Sequence, residues 1–200
     1  MKIIIIGATG TIGSAVTDLL APEHDIVKVG FSGGDFKVDI ASKDSIRKLF
    51  QDVGNFDAVI STAGLAKFDN FDSLEDEDYL LGLTNKLMGQ VNLVRVGLNH
   101  INDNGSFTLT SGVLSQYPMP GSASISMVNA GLEGFVRAAA LETQRGIRVN
   151  AVSPVWVVET LIALGMDTSE GMPSEQVALA YKESVEGQRS GEVLDVRNFV

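Results

Sequence analysis

The sequence opens with an apolar run that passes directly into a cluster of glycines. Residues 3–6 are four consecutive isoleucines, and Gly7, Gly10 and Gly13 follow at intervals of three. Four β-branched residues in a row favour a central parallel strand that is buried on both faces. Residues 12–20 then carry apolar side chains at helical spacing. The segment therefore predicts a strand, a tight turn and a helix.

This turn has the chemistry of a phosphate site. Because glycine has no Cβ, backbone N–H groups can approach a pyrophosphate closely, and the N-terminus of the following helix adds favourable partial charge. Glycines with this spacing between a buried strand and a helix are typical of a dinucleotide site. The alternative is a glycine-rich turn that binds no ligand. The residues predicted to surround the dinucleotide phosphates are Gly7, Thr9, Gly10, Thr11, Ile12 and Gly13.

Composition narrows the class of protein. The chain has 200 residues, of which 44% are hydrophobic and 20% are charged, as expected for one globular domain with a sizeable core. Its net charge of −10 argues against nucleic acid or an anionic membrane as a partner. Cysteine is absent, and His24 and His100 lie far apart in polar surroundings, so no metal site is predicted.

The sequence also bears on location. The first predicted strand begins at residue 2, which leaves no room for a cleaved signal. No apolar run approaches the roughly 18 residues that a membrane span requires. We therefore expect a cytoplasmic protein.

Strands and helices alternate along the rest of the chain. Strands are predicted over residues 2–6, 25–30, 36–40, 56–60, 106–110, 147–152 and 192–196. Helices are predicted from residue 42 or 43, from the acidic stretch 73–78 to about residue 100, and over 122–142 and 174–186, whereas 154–173 reads as irregular. This alternation predicts a single α/β domain over residues 1–200, a doubly wound parallel sheet of the Rossmann type. Ligands of such sheets bind at the carboxyl ends of the strands, beside the first strand.

Several motifs resemble the short-chain dehydrogenase/reductase family over nearly the whole chain. They are Gly7-x-x-Gly10-x-x-Gly13, Asp39-Ile40, Thr62-Ala63-Gly64, Thr110-Ser111, Ala-Gly-Leu-Glu-Gly-Phe over 130–135, and the run over 146–154 that ends in Ser153-Pro154. The resemblance implies an NAD(P)-dependent oxidoreductase that acts on a small carbonyl or alcohol.

The resemblance also assigns cofactor contacts. It implies that Asp39, next to Ile40, accepts a hydrogen bond from the adenine amino group; the alternative is a strand-end carboxylate with no such role. Ala63 and Gly64 would leave room for the adenosine half. The remaining pair, which would flank the nicotinamide, is Ser153 and Pro154.

The chain departs from this family at its catalytic pair. In family members a tyrosine protonates the substrate oxygen, and a lysine four residues later binds the ribose and lowers the tyrosine pKa. Alignment on residues 130–135 puts Ile125 at the tyrosine position and Asn129 at the lysine position. No tyrosine of this chain has a lysine four residues later, so no shift of register restores the pair. Isoleucine transfers no proton, and Asn129 could hydrogen-bond a ribose hydroxyl but carries no charge.

Other residues are candidates for the missing proton donor. The family's substrate-orienting serine falls at Gly112, next to Ser111, and its active-site asparagine falls at Lys86. The Lys86 ammonium is a candidate for the missing cation, with an exposed helix lysine as the alternative. Tyr117 is a further candidate, as are the serines at 122, 124 and 126, which alternatively cap the next helix. The catalytic candidates are therefore Ser111, Lys86, Tyr117 and Asn129.

The loop after the second strand bears on the choice of cofactor. An NAD site usually offers a carboxylate there to the ribose 2′-hydroxyl, and an NADP site offers arginine or lysine to the 2′-phosphate. The loop reads Phe31, Ser32, Gly33 and Gly34. The missing acid and the small hydroxylated loop favour NADP, with Ser32 as a contact. NAD stays the alternative because no arginine is present.

Two functions remain open on the sequence. One is an NAD(P)-dependent oxidoreductase with a non-standard proton donor, and the other is a non-catalytic NAD(P)-binding sensor or partner-binding protein. The two long apolar helices, near residues 76–100 and 122–142, resemble those that pair across a two-fold axis in family members. We therefore expect a homodimer or homotetramer.

Overall fold

A computed structural model describes all residues, 1–200. The strands are β1 Lys2–Ile6, β2 Asp25–Gly30, β3 Phe36–Lys37, β4 Phe56–Ser61, β5 Ile101–Thr110, β6 Arg148–Ser153 and β7 Val193–Asp195. The helices are α1 Thr11–Leu20, α2 Lys43–Val53, α3 Asp76–Leu81, α4 Met88–Gly97, α5 Ala123–Glu142, α6 Val158–Leu164 and α7 Ser174–Glu186. A π-helical turn, Gly82–Leu87, joins α3 to α4.

All seven strands form one parallel sheet in the order β3-β2-β1-β4-β5-β6-β7. Strand β1 lies inside the sheet, between β2 and β4, and the predicted doubly wound α/β fold is confirmed. The order reverses between β1 and β4, which opens a crevice at their carboxyl ends. No helix is both long and apolar enough to cross a membrane.

The four isoleucines of β1 divide between two hydrophobic cores. Ile4 and Ile6 face a core of 23 buried residues built with α2, α4 and α5. Ile3 and Ile5 face a core of 16 buried residues built with α1 and α7. Each isoleucine is at most 1% exposed. A strand buried on both faces has no polar side, which explains why its sequence shows no alternation.

Four predicted boundaries were wrong. Strand β3 ends at Lys37 instead of residue 40. Strand β5 begins at Ile101 instead of residue 106, because residues 102–105 continue the strand through a register shift against β4. The long helix predicted from residue 76 is interrupted by the π-helical turn. Residues predicted as irregular include α6, which contains Leu161 as its only buried residue.

A buried glutamine fixes the carboxyl end of β5. Gln90 on α4 is fully buried, and its side-chain Nε2 donates to the carbonyl of Thr110 at 3.0 Å while its Oε1 accepts from the Thr110 amide at 2.8 Å. Residue pairing between β4 and β5 stops at Thr108. The side chain of Gln90 therefore satisfies both backbone groups of Thr110 next to the crevice.

We expect Gln90→Leu to lower the free energy of unfolding by roughly 2–4 kcal/mol, because it leaves the buried N–H and C=O of Thr110 unpaired. Gln51→Leu on the exposed face of α2 is the matched control and should change stability by no more than about 0.5 kcal/mol. Chemical denaturation of both variants measures the difference. Equal stability of the two would contradict this account of Gln90.

Candidate active site

Two adjoining cavities lie along the crevice at the carboxyl ends of the strands. The first, of about 410 Å³, extends from the glycine turn to the loop after β2. The second, of about 260 Å³, lies between the end of β5, α5 and the segment that follows β6. Thr62, just after β4, lines both cavities. Together they form an elongated cleft, as a dinucleotide requires.

The glycine turn fits a phosphate group. Gly7 has a φ of +88°, and a Cβ added to Gly13 would lie 2.0 Å from the Gly7 carbonyl oxygen, so the turn and α1 pack too closely for a side chain. Gly10 caps α1 without a side-chain hydrogen bond, and the first turn of the helix has no acidic residue. The first backbone N–H groups of α1 are therefore free to bind an anion.

The structure brings most predicted cofactor residues into this cleft. The first cavity is lined by Gly7, Thr9, Gly10, Asp39, Ile40, Ala63 and Gly64. Ile12 and Pro154 line the second cavity. The other four do not line either cavity: Thr11 is exposed at the start of α1, Gly13 is buried against Gly7, Ser153 is buried beside Pro154, and Ser32 is exposed after β2.

Three of the four catalytic candidates converge on the second cavity, namely Lys86, Ser111 and Asn129. Ile125, at the family's tyrosine position, lines the same cavity with an apolar side chain. Tyr117 does not line it. The Tyr117 ring is 60% exposed, with the Arg197 guanidinium carbon 5.0 Å from its centroid. Tyr117 is thus not placed to protonate a ligand there.

Lys86 lies in the π-helical turn and reaches into the cavity. Its stem packs against the backbone of Gly64, where an added Cβ would lie 2.8 Å from Lys86 Cγ. Its Nζ donates to the carbonyl oxygen of Ser111 at 3.3 Å. Burial lowers the pKa of Lys86 to about 8, because removal from water disfavours the ammonium form. The alternative of a solvent-exposed helix lysine does not hold.

Asn129 and Gly112 fit each other. Asn129 is 1% exposed, and its Nδ2 donates to the carbonyl oxygen of Gly112 at 3.4 Å. A Cβ at position 112 would lie 2.8 Å from that Nδ2, so the family's serine has no room there. The two departures from the family pattern are therefore sterically coupled. Asn129 Oδ1 is buried without a hydrogen-bond partner, which leaves an acceptor for a ligand hydroxyl.

The Ser111 hydroxyl is hydrogen-bonded to the buried carboxylate of Glu133, to which the sequence alone assigns no role. Ser111 Oγ donates to Glu133 Oε1 at 2.9 Å. The same oxygen accepts from the hydroxyl of Ser115, and Glu133 Oε2 pairs with Arg137 at 3.3 Å. Glu133 on α5 thus holds the loop after β5 in place by hydrogen bonds to Ser111 and Ser115. Its only sequence signal is its place in the run 130–135.

The three serines near the start of α5 have local roles. Ser122 occupies the N-cap position, but its hydroxyl bonds the backbone of Met119 instead of a helix amide. Ser126 Oγ donates to Ser122 Oγ at 3.0 Å, and Ser124 Oγ donates to the carbonyl of Asp78 at 3.5 Å. None of the three lines the second cavity. The predicted capping hydrogen bond at the start of α5 is therefore absent, whereas Ser42 caps α2 by accepting from the Ser45 amide.

Comparison with known proteins agrees with this geometry. A family model described as enoyl-(acyl carrier protein) reductase matches residues 13–198. The chain belongs to the short-chain dehydrogenase/reductase family. It is accordingly an oxidoreductase of short-chain dehydrogenase type, with an NAD(P)-binding fold.

Individual relatives span most of the chain. This chain is 40% identical to the protein lin1944 from Listeria innocua. The crystal structure of that protein matches with a TM-score of 0.95 and covers 98% of this chain and 99% of its own. A small-chain dehydrogenase in complex with NADPH is 25% identical, with a TM-score of 0.87 and coverage of 98% and 95%. A hydroxynaphthalene reductase of Aspergillus fumigatus is 28% identical over 167 residues, which are 78% of this chain and 61% of the fungal protein.

Proposed function

We propose that this short-chain dehydrogenase reduces a carbonyl compound with NADPH and that Lys86 is the proton donor. The observation that carries the proposal is the Lys86 ammonium, which lines the same cavity as Asn129 and Ile125 and has a pKa near neutrality. A general acid works best when its pKa lies near the working pH. The tyrosine that the family uses has no counterpart in this cavity.

NADPH supplies a hydride to the carbonyl carbon when it is bound. As the new C–H bond forms, the C=O π pair moves to the oxygen, which takes a proton from Lys86 Nζ and leaves a neutral amine. Before that transfer, the ammonium polarises the carbonyl by hydrogen bonding to its oxygen. The apolar side chain of Ile125 helps to exclude water. The free Oδ1 of Asn129 accepts a hydrogen bond from a ribose hydroxyl of the cofactor.

The pH dependence tests the role of Lys86. Reduction needs the ammonium, so its kcat/KM should be constant below pH 8 and fall tenfold per unit above it, whereas alcohol oxidation needs the amine and should rise up to about pH 8. Lys86→Met should lower both rates by roughly 10²–10⁴. Lys86→Arg should abolish the inflection near pH 8, because arginine does not titrate there.

Lys48→Met is the matched control, since Lys48 on α2 is exposed, pairs with Asp52 at 2.9 Å and lines neither cavity. It should leave the pH profile and rates within twofold. A wild-type protein that binds NADPH but does not oxidise it in the presence of any carbonyl compound would instead support the alternative, a non-catalytic NADPH sensor. The presence of Ile125 in place of a proton donor favours that alternative.

We propose NADP(H) in preference to NAD(H). The only carboxylate within the loop between β2 and β3 is Asp35, and it accepts a hydrogen bond from the Lys28 amide at 2.9 Å. Ser32 is exposed beside Gly30 and Phe31, which line the first cavity. A hydroxyl there accommodates a 2′-phosphate, whereas a carboxylate would repel it. The NADPH complex of the 25% identical relative supports this choice.

Ser32→Asp should weaken NADPH binding at least tenfold and strengthen NADH binding, because a carboxylate accepts a hydrogen bond from the 2′-hydroxyl and repels the phosphate. Calorimetric titration with both cofactors measures the change. Ser32→Asn, of similar size without the charge, is the control and should keep the preference for NADPH. An unchanged preference in Ser32→Asp would contradict the assignment of this loop.

We propose further that the protein forms a homodimer, or a tetramer built from such dimers, through the outer face of α5. That face carries Met127, Ala130, Gly134, Ala138 and Leu141, all exposed, with Leu141 89% exposed. A Cβ added to Gly134 meets no atom within 4 Å. Small residues between two large apolar ones leave room for close approach of a second helix.

Gly134→Arg should convert the assembly into the 21.3 kDa monomer without loss of fold, since the position is open in the isolated chain. Arginine is also a better helix former than glycine by about 0.5–1 kcal/mol. Sedimentation velocity measures the mass, and Gly134→Ala should leave the assembly intact. A wild-type protein that sediments as the 21.3 kDa species would rule out the interface.

A further inference from the structure

The second cavity combines apolar walls with a single charged group. Lys86 is the only charged residue in its lining. The apolar lining consists of Ile12, Val113, Leu114, Ile125, Val155, Trp156 and Val157. A ligand in this cavity therefore buries apolar surface, and Lys86 offers it one strong hydrogen-bond donor. The remainder of such a ligand must emerge through the mouth of the cavity.

Two chain segments contain or pack against residues that line this cavity. The first is residues 65–78: Phe68 packs edge-on against Trp156 with ring centroids 6.0 Å apart, and the Asp69 amide donates to the Gly121 carbonyl at 3.1 Å. The second is residues 155–172, which begins with the cavity wall at Val155 and includes α6. We call these two segments the rim.

The rim is strongly acidic. Its carboxylates outnumber its basic residues by nine to one, and the single base, Lys67, pairs with Asp69. Eight of the nine carboxylates form no salt bridge. Glu159 instead accepts hydrogen bonds from the amide and the hydroxyl of Ser174. The other seven are Asp72, Glu75, Asp76, Glu77, Asp78, Asp167 and Glu170. The hydrogen bond from Ser169 also keeps the pKa of Asp167 below its usual value.

We infer that the substrate is an apolar carbonyl compound without negative charge, which enters as a free small molecule and not as a thioester of coenzyme A or of an acidic carrier protein. Like charges around a cleft repel an approaching anion over about a Debye length, ~8 Å at physiological ionic strength. The phosphates of coenzyme A, or a carrier protein, would lie against the rim once the acyl group reached Lys86. The inference rests on the proposed function for the reacting carbonyl group alone.

Trp156 provides a direct measure of occupancy, because it is the only tryptophan of the chain and lines the cavity. Two ligands with one reacting end, the 3-oxooctanoyl thioesters of N-acetylcysteamine and of coenzyme A, are titrated into the NADP⁺-loaded protein. We expect the neutral thioester to bind at least tenfold more tightly at 10 mM salt. The ratio should shrink at 0.5 M salt, where the Debye length is a few ångströms.

Two triple variants distinguish the effect of the rim carboxylates from the effect of the protein's overall charge. Glu75→Gln/Asp76→Asn/Glu77→Gln should reduce the ratio at least threefold by strengthening binding of the coenzyme A ester. The control Asp52→Asn/Asp103→Asn/Glu142→Gln removes the same charge from exposed positions. These lie at the ends of α2, β5 and α5 that point away from the cleft, so the control should leave the ratio unchanged.

Three results would overturn the inference: tighter or equal binding of the coenzyme A ester, equal effects of the two triple variants, or no fluorescence change with either thioester. Because the readout is binding, it is independent of turnover. A protein that binds the neutral thioester more tightly but does not oxidise NADPH with it would support the inference and contradict the proposed function.

Discussion

The contact between Gly7 and Gly13 is the constraint on which the cleft depends. The central strand β1 is buried on both faces, so the chain must leave it at the carboxyl end and start α1 within four residues. A Cβ at Gly13 would lie 2.0 Å from the Gly7 carbonyl oxygen, hence α1 reaches this position only without side chains. The same close packing presents the free N–H groups of the helix to a phosphate, so that fold and cofactor site have one physical cause.

The residues at the predicted positions of the family's catalytic groups contact one another. Asn129 stands at the predicted lysine position, and its amide fills the space that a side chain at Gly112 would occupy. Glu133 holds the loop after β5 in place by accepting hydrogen bonds from Ser111 and Ser115. The remaining cation, Lys86, comes from a different helix and is bound by the carbonyl of the same loop. Burial disfavours the ammonium form of Lys86 and lowers its pKa to about 8.

The charge distribution separates two requirements of the site. A dinucleotide carries phosphates, and these are met by the neutral glycine turn and the positive end of α1. The substrate half has an acidic rim around apolar walls. In our proposal, cofactor and substrate therefore approach through regions of different charge, which the net charge of −10 alone does not describe.

The sequence by itself determined the fold and the glycine turn at the crevice, because both rest on local patterns. Four isoleucines followed by spaced glycines permit few structures, and the alternation of strands and helices fixes the parallel sheet. It also predicts that Ile125 and Asn129 stand at the family's tyrosine and lysine positions. Only the tertiary structure decided which polar groups meet. Tyr117 lies outside the cavity, Ser111 is bound to Glu133, and Lys86 is partly buried, since each depends on contacts between residues 22 to 80 positions apart. Spacing along a chain does not encode burial, and burial sets the chemistry of Lys86.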